Sequence, residues 1–200
     1  MKTVCLLGPD GSGKDTILDL MIGQAKERGL LVDVVYTTKV IHGNEYSALL
    51  RQTLGSSSAT NAERFNAAWH LYKLNEYEWQ KKNAGCDYLI YYRGNSSFLT
   101  YNFIDGLPEG YQASIVPKTD IAIYLDAPFD DLTERIKRRQ SFDFQDVNEL
   151  YRRKVWEEGS LDFLDFNKQF NIKHFIATNS NDHVPSKVAH DIWEAIINAT

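Results

Sequence analysis

Residues 8–16 read GPDGSGKDT and follow a short apolar run, TVCLL, at residues 3–7. The apolar run predicts a buried β-strand, and the pattern that begins at Lys14 predicts a helix. A glycine-rich loop between a strand and a helix is typical of phosphate-binding sites, because its backbone N–H groups and the positive helix N-terminus attract an anion. The loop therefore predicts a nucleoside triphosphate site, with a purely structural glycine turn as the alternative.

The loop matches the pattern G-x-x-x-x-G-K-[ST] at every position but one. Lys14 stands where the loop lysine reaches the β- and γ-phosphates, whereas Asp15 replaces the usual Ser or Thr and Thr16 follows it. The loop residues expected to bind ATP are Gly8, Asp10, Gly11, Ser12, Gly13, Lys14, Asp15 and Thr16.

Length and composition predict one α/β domain spanning residues 1–200, since 43% of the residues are hydrophobic. A net charge of −5 argues against nucleic acid as a partner. Cys5 and Cys86 lie in or beside apolar runs, which indicates reduced thiols. The first apolar run is too short for a signal peptide, and no stretch approaches the ~20 apolar residues that cross a bilayer. We therefore expect a cytoplasmic protein with no membrane partner.

Short apolar runs alternate with helical patterns along the chain. The runs predict strands at Thr3–Leu7, Leu31–Tyr36, Tyr88–Tyr92, Ile121–Asp126 and Lys173–Ala177. The helical patterns cover Lys14–Arg28, Tyr46–Leu54, Asn61–Lys82, Pro128–Arg139, Val147–Phe170 and Ser186–Ala199. Continuous apolar character suits strands that are buried on both faces. The alternation predicts a doubly wound, five-stranded parallel sheet with helices on both faces.

Basic residues follow two of the predicted strands, at the edge of the sheet where ligands bind in such folds. Arg93 could bind a second phosphate through its planar guanidinium, or it could pair with a nearby acid at the surface. The helix after the fourth strand ends in a basic cluster of Arg135, Lys137, Arg138 and Arg139. This cluster predicts either a lid over a triphosphate or a solvated basic face, and phosphoryl transfer requires cations of this kind.

In order and spacing, four stretches resemble thymidylate kinase, a family of P-loop nucleoside monophosphate kinases. The loop resembles the family's G-x-[DE]-G-x-G-K-[ST]-T, and YRGNSSFLTYN at 92–102 resembles D-R-Y-x-x-S-x-x-A-Y-Q. Residues 120–128 resemble P-D-x-x-x-x-L-D-x-P, and the basic cluster resembles the start of the family's lid. The resemblance covers essentially the whole chain. It implies a P-loop NTPase-type sheet with a short lid around residues 138–148.

The resemblance implies Mg²⁺-dependent transfer of the γ-phosphate of ATP to a deoxynucleoside monophosphate, with dTMP favoured and dTDP as its product. One alternative is a related kinase that acts on a modified nucleotide, a nucleoside or another small acceptor. A second alternative is a nucleotide-binding protein without catalytic activity. The family also implies a homodimer.

Site residues follow from the resemblance, position by position. The implied catalytic residues are Lys14, Arg93, Arg135, Arg138 and Arg139. The implied acceptor-binding residues are Asp10, Lys39, Phe65, Trp69, Arg93, Ser97, Tyr101 and Asn102. Among them, Asp10 matches a contact to the sugar 3′-hydroxyl, and Phe65 matches the aromatic that stacks on the base. Phe65 could instead be a core residue on its helix. Asn181 lies where the family contacts adenine.

The chain departs from the family around the acceptor and the metal. The family's D-R reads Tyr92-Arg93, so a carboxylate that helps to place magnesium is missing. Asp15 and Thr16 are the expected metal ligands, since hard cations prefer oxygen, although Asp15 could be only a first-turn helix acid. A family arginine is replaced by Trp69, and Lys39 stands in place of an absent Arg-Glu-Pro segment.

Overall fold

Five strands and six helices occur in the parts of the chain that the computed structural model describes, residues 1–82, 85–93, 119–138 and 149–199. The strands are β1 Lys2–Leu7, β2 Val32–Tyr36, β3 Tyr88–Tyr92, β4 Ile121–Asp126 and β5 Lys173–Thr178. The helices are α1 Lys14–Glu27, α2 Glu45–Gly55, α3 Asn61–Lys82, α4 Phe129–Lys137, α5 Glu149–Gln169 and α6 Pro185–Ala199.

The sheet is parallel throughout, with the order β2-β3-β1-β4-β5. Strand β1 lies in the centre, where Val4 is aligned with Ile90 of β3 on one side and Ile121 of β4 on the other. Strands β2 and β3 lie on one side of β1, and β4 and β5 lie on the other. The point at which the strand order reverses is therefore beside β1. This topology confirms the predicted five-stranded parallel sheet and places residues 8–13 at the crevice where ligands bind in such sheets.

Both faces of the sheet are buried, which explains the continuous apolar strands. On one face, Val4 and Leu6 pack in a core with residues of α1 and α6. On the other face, Cys5 and Leu7 pack in a core with residues of α2, α3 and α5. All four of these β1 side chains are fully buried. Helices therefore cover both faces, as predicted.

Local signals place several helix ends close to their predicted positions. Gly29 has a φ of 69°, and the N–H of Leu30 donates to the carbonyl of Ala25 at 2.9 Å, which ends α1 one residue before its predicted end at Arg28. Pro128 precedes the first residue of α4 rather than beginning it.

Both cysteines are free thiols. Among the described helices, none is long and apolar enough to span a bilayer.

Candidate active site

The loop between β1 and α1 has a conformation that its glycines make possible. Gly8, Gly11 and Gly13 have φ values of 140°, 87° and 86°, in the region that side chains disfavour. A Cβ on Gly8 would lie 2.2 Å from the carbonyl oxygen of Leu125, and one on Gly13 would lie 2.5 Å from Nδ2 of Asn179. The loop is therefore curved tightly against β4 and the segment after β5, as a phosphate-binding loop requires.

Lys14 lies inside this loop, and only 4% of the residue is exposed. Its Nζ donates to the carbonyl oxygens of Gly8 and Pro9, each at 2.7 Å, and is 3.4 Å from Oγ of Ser12. The ammonium group is thus held by oxygen atoms of the loop it belongs to. Phosphate oxygens bound in the same loop could take the place of these acceptors.

Arg135 of α4 supports one side of the loop through hydrogen bonds. Its guanidinium donates to the carbonyl oxygens of Gly11 at 3.3 Å and Asn179 at 2.8 Å, and to Oδ1 of Asn181 at 3.0 Å. The side chain of Asn179 in turn donates to the carbonyl oxygen of Ser12 at 2.7 Å. Arg135 thereby links the predicted ATP-binding residue Asn181 to the phosphate loop. Three of the N–H groups of Arg135, expected as a catalytic cation, have protein acceptors here.

Arg93 lies on the other side of the loop and pairs with Asp10 at 2.9 Å. Two residues predicted for the acceptor site are therefore in direct contact. The Asp10 carboxylate raises the pKa of the Arg93 guanidinium, which keeps the side chain cationic. Arg93 has a φ of 66°, and left-handed backbone at a residue other than glycine costs on the order of 1–3 kcal/mol and is concentrated at functional sites.

Tyr92 contacts the loop through the first turn of α1. Its hydroxyl donates to Oδ1 of Asp15 at 2.6 Å. Burial, followed by the hydrogen bond to Asp15, raises the pKa of Tyr92, so the phenol stays protonated. The ring of Tyr36 is 5.5 Å from that of Tyr92, and Nζ of Lys39 is 4.8 Å from the centre of the Tyr36 ring. The contact of Tyr36, the last residue of β2, with Tyr92 was not predicted from the sequence.

Comparison with known proteins supports the fold. No model of a protein family matches the sequence, and no curated protein sequence matches it. A solved structure of thymidylate kinase from Candida albicans is similar, with a TM-score of 0.64 and 17% sequence identity. The match covers 98% of this chain and 91% of that chain. The chain has the thymidylate kinase fold. Its resemblance to thymidylate kinase is thereby confirmed for the fold.

Within the thymidylate kinase fold, the expected metal ligands Asp15 and Thr16 lie at the start of α1 and are exposed. In the described part of the chain, no group of three or more His, Cys, Asp or Glu residues could hold a metal ion. Magnesium is usually bound by one or two carboxylates together with substrate phosphates. The Asp15 carboxylate beside a phosphate loop fits a cation that is shared with a nucleotide.

Phe65 and Trp69, both expected at the acceptor base, lie on α3. Phe65 is 1% exposed and belongs to the core between the sheet and helices α2, α3 and α5, the alternative considered from the sequence. Trp69 is partly buried, stacks on Tyr72 with 5.7 Å between ring centres, and has Nζ of Lys73 5.0 Å from its ring centre. A role for either residue in binding a base stays a prediction.

The remaining predicted residues are those expected for the lid and the acceptor pocket. Arg138 is exposed and forms an ion pair with Glu134 on the same helix. Several predictions fall outside the described residues, namely Ser97, Tyr101, Asn102, Arg139 and the lid segment after residue 138.

Proposed function

We propose that the chain is a nucleoside monophosphate kinase that transfers the γ-phosphoryl group of ATP to a deoxynucleoside monophosphate. The observation that carries this proposal is the placement of Arg93 and Arg135 on two sides of one phosphate loop around a buried Lys14. A kinase of this class must bind two phosphate-bearing substrates end to end. The loop with Arg135 and Asn181 suits the donor, and the cationic Arg93 suits the acceptor phosphate.

The donor half uses the loop and Lys14. ATP phosphates would lie in the loop, and Lys14 would exchange the carbonyl oxygens of Gly8 and Pro9 for β- and γ-phosphate oxygens. Mg²⁺ bound with ATP supplies charge neutralisation at these phosphates. Arg135 holds the loop against the segment after β5, and Asn181 beside it would contact the adenine. Fixed donors of this kind stabilise the spreading negative charge of the transition state without reorganising.

The acceptor half uses Arg93 and Asp10. A guanidinium can bind a phosphate bidentately, and the acceptor phosphate would replace the Asp10 carboxylate as its partner. Asp10 would then be available to accept a hydrogen bond from a sugar hydroxyl. Arg138 and Arg139 are the candidates for a further cation on the transferring group, because Arg135 already has three protein acceptors.

The acceptor we propose first is dTMP, which the order of the sequence motifs favours. A related kinase with another acceptor is the second candidate, and Trp69 in place of the family arginine is the observation that favours it. That acceptor would be a modified pyrimidine nucleotide, a free nucleoside or another small molecule. A free nucleoside leaves the cationic Arg93 without a phosphate to bind.

The deciding experiment measures ADP release from ATP and Mg²⁺ with dTMP, dUMP, dCMP, dGMP, dAMP, UMP and thymidine as acceptors. The proposal predicts release with one or more deoxynucleoside monophosphates, and with dTMP above the others. Faster release with thymidine than with dTMP would reassign the chain as a nucleoside kinase. ATP binding without release on any acceptor would favour a nucleotide-binding protein that does not turn over.

A further inference from the structure

The contact between Tyr92 and Asp15 joins two positions that matter for a metal ion in phosphate-loop proteins. The residue after the loop lysine usually supplies a hydroxyl to Mg²⁺, and a carboxylate from a separate strand supports the same ion. In this chain the carboxylate follows the lysine, and a hydroxyl stands at the end of β3, the strand beside β1. The two kinds of group have exchanged places.

The hydrogen bond from Tyr92 fixes one oxygen of the Asp15 carboxylate. The Tyr92 hydroxyl is 2.6 Å from Oδ1 of Asp15, a length typical of a charge-assisted bond. Tyr92 is itself held rigidly, since 6% of it is exposed and its ring packs against that of Tyr36. Within the described residues, Oδ2 of Asp15 makes no hydrogen bond, and the residue is exposed at the start of α1.

We propose that Asp15 is the carboxylate ligand of the divalent cation that accompanies the nucleotide, and that Tyr92 positions it. The hydroxyl of Tyr92 would bind Oδ1 and hold the side chain in one rotamer, which leaves Oδ2 for the cation. This inference rests on the proposed function, because the cation arrives with the nucleotide. Removing a group that orients a metal ligand typically lowers metal affinity about 10–100-fold.

The test measures binding of a non-hydrolysable ATP analogue by calorimetry, with saturating Mn²⁺ and with EDTA. The ratio of the two affinities reports the contribution of the cation and does not depend on catalysis. Asp15→Asn and Tyr92→Phe are each expected to lower this ratio about tenfold or more. Their affinities in EDTA should be at least those of the unmodified protein, since neither change removes a positive charge from the loop.

Two further proteins make the test specific. In the double variant of Asp15→Asn and Tyr92→Phe, the ratio should fall no further than in Asp15→Asn alone, because Tyr92 acts through Asp15. Tyr88→Phe is the matched control. Tyr88 is at the opposite end of the same strand and packs edge-on against Trp193, so its hydroxyl is far from the loop and the ratio should not change.

Each result decides a different point. An unchanged ratio for Asp15→Asn, with the analogue still bound, would show that Asp15 is only a first-turn helix acid, and the proposed kinase function would stand. Equal losses that add in the double variant would refute the positioning role of Tyr92. If the unmodified protein bound the analogue under neither condition, the proposed function itself would fail.

Discussion

Replacing Gly13 by alanine should destabilise the protein because the new methyl group meets a buried hydrogen bond. Gly13 has a φ of 86°, and a Cβ there would lie 2.5 Å from Nδ2 of Asn179. That nitrogen donates to the carbonyl oxygen of Ser12 at 2.7 Å, and 5% of Asn179 is exposed. Asn179 can move away from the methyl group only by giving up this bond.

Two free-energy costs determine how far Gly13→Ala destabilises the protein. A left-handed backbone costs a residue with a Cβ roughly 1–2 kcal/mol. The buried carbonyl of Ser12, left without its partner, costs roughly 1–3 kcal/mol. Gly13→Ala should therefore lower the free energy of unfolding by about 2–5 kcal/mol, a large part of the 5–15 kcal/mol that is typical of a domain.

The assay is equilibrium unfolding in urea, with Gly23→Ala as the matched control. Gly23 lies within α1, and apart from its chain neighbours and the nearby backbone of its own helix no atom lies within 4 Å of where its Cβ would be. Alanine there should raise the free energy of unfolding by about 0.5–1 kcal/mol, since glycine weakens a helix interior. In an Asn179→Ala background, Gly13→Ala should cost only the backbone part, about 1–2 kcal/mol.

The reasoning would be refuted if Gly13→Ala changed the free energy of unfolding by less than about 0.5 kcal/mol, the range of ordinary surface changes. It would also be refuted if the loss were as large in the Asn179→Ala background as in the unmodified protein. In that case the clash with Asn179 would not be the source of the cost.

Three further changes test other parts of the site. Lys14→Met should abolish phosphoryl transfer with an unchanged fold by circular dichroism, and retained turnover would contradict the donor assignment. Arg93→Lys should raise the KM of the acceptor about 10-fold or more and leave that of ATP nearly unchanged, because lysine cannot bind a phosphate bidentately; equal changes in both KM values would argue against an acceptor role. Burial raises the pKa of the Asp126 carboxyl, so the folded protein keeps this proton at pH values where the unfolded chain has lost it, and stability falls as pH rises through that interval. Asp126→Asn should remove this fall and be more stable than the parent above the interval, whereas identical pH profiles in urea unfolding would contradict the argument.

Patterns that are local in the chain were sufficient to predict the fold and the phosphate loop. The five apolar runs predicted the five strands, with ends that agree within one residue. Burial on both faces of a parallel sheet requires continuous apolar residues, so the class of sheet could be inferred before its order was known. The spacing of Gly8, Gly11, Gly13 and Lys14 was likewise sufficient to predict the loop. The conformation of such a loop depends on the φ values of its own residues, which are close together in the chain.

The partners of each site residue could not be predicted, since they come from distant parts of the chain. The basic cluster at the end of α4 was expected to supply catalytic cations. The structure pairs Arg135 with Gly11, 124 residues away, and Arg138 with Glu134 on its own helix, and the catalytic role of either residue stays a prediction. The surroundings of Phe65 could not be predicted either, because helical spacing does not distinguish a core aromatic from one that lines a pocket.

The sequence by itself determined a parallel α/β sheet, a phosphate-binding loop and an arginine at the end of the third strand, since each depends on residues that are close together in the chain. Only the tertiary structure decided how the loop is supported. Ser12 meets Asn179 across 167 residues, and Asp15 meets Tyr92 across 77. Such contacts depend on the order of strands β2-β3-β1-β4-β5, which brings distant strand ends together at one edge of the sheet.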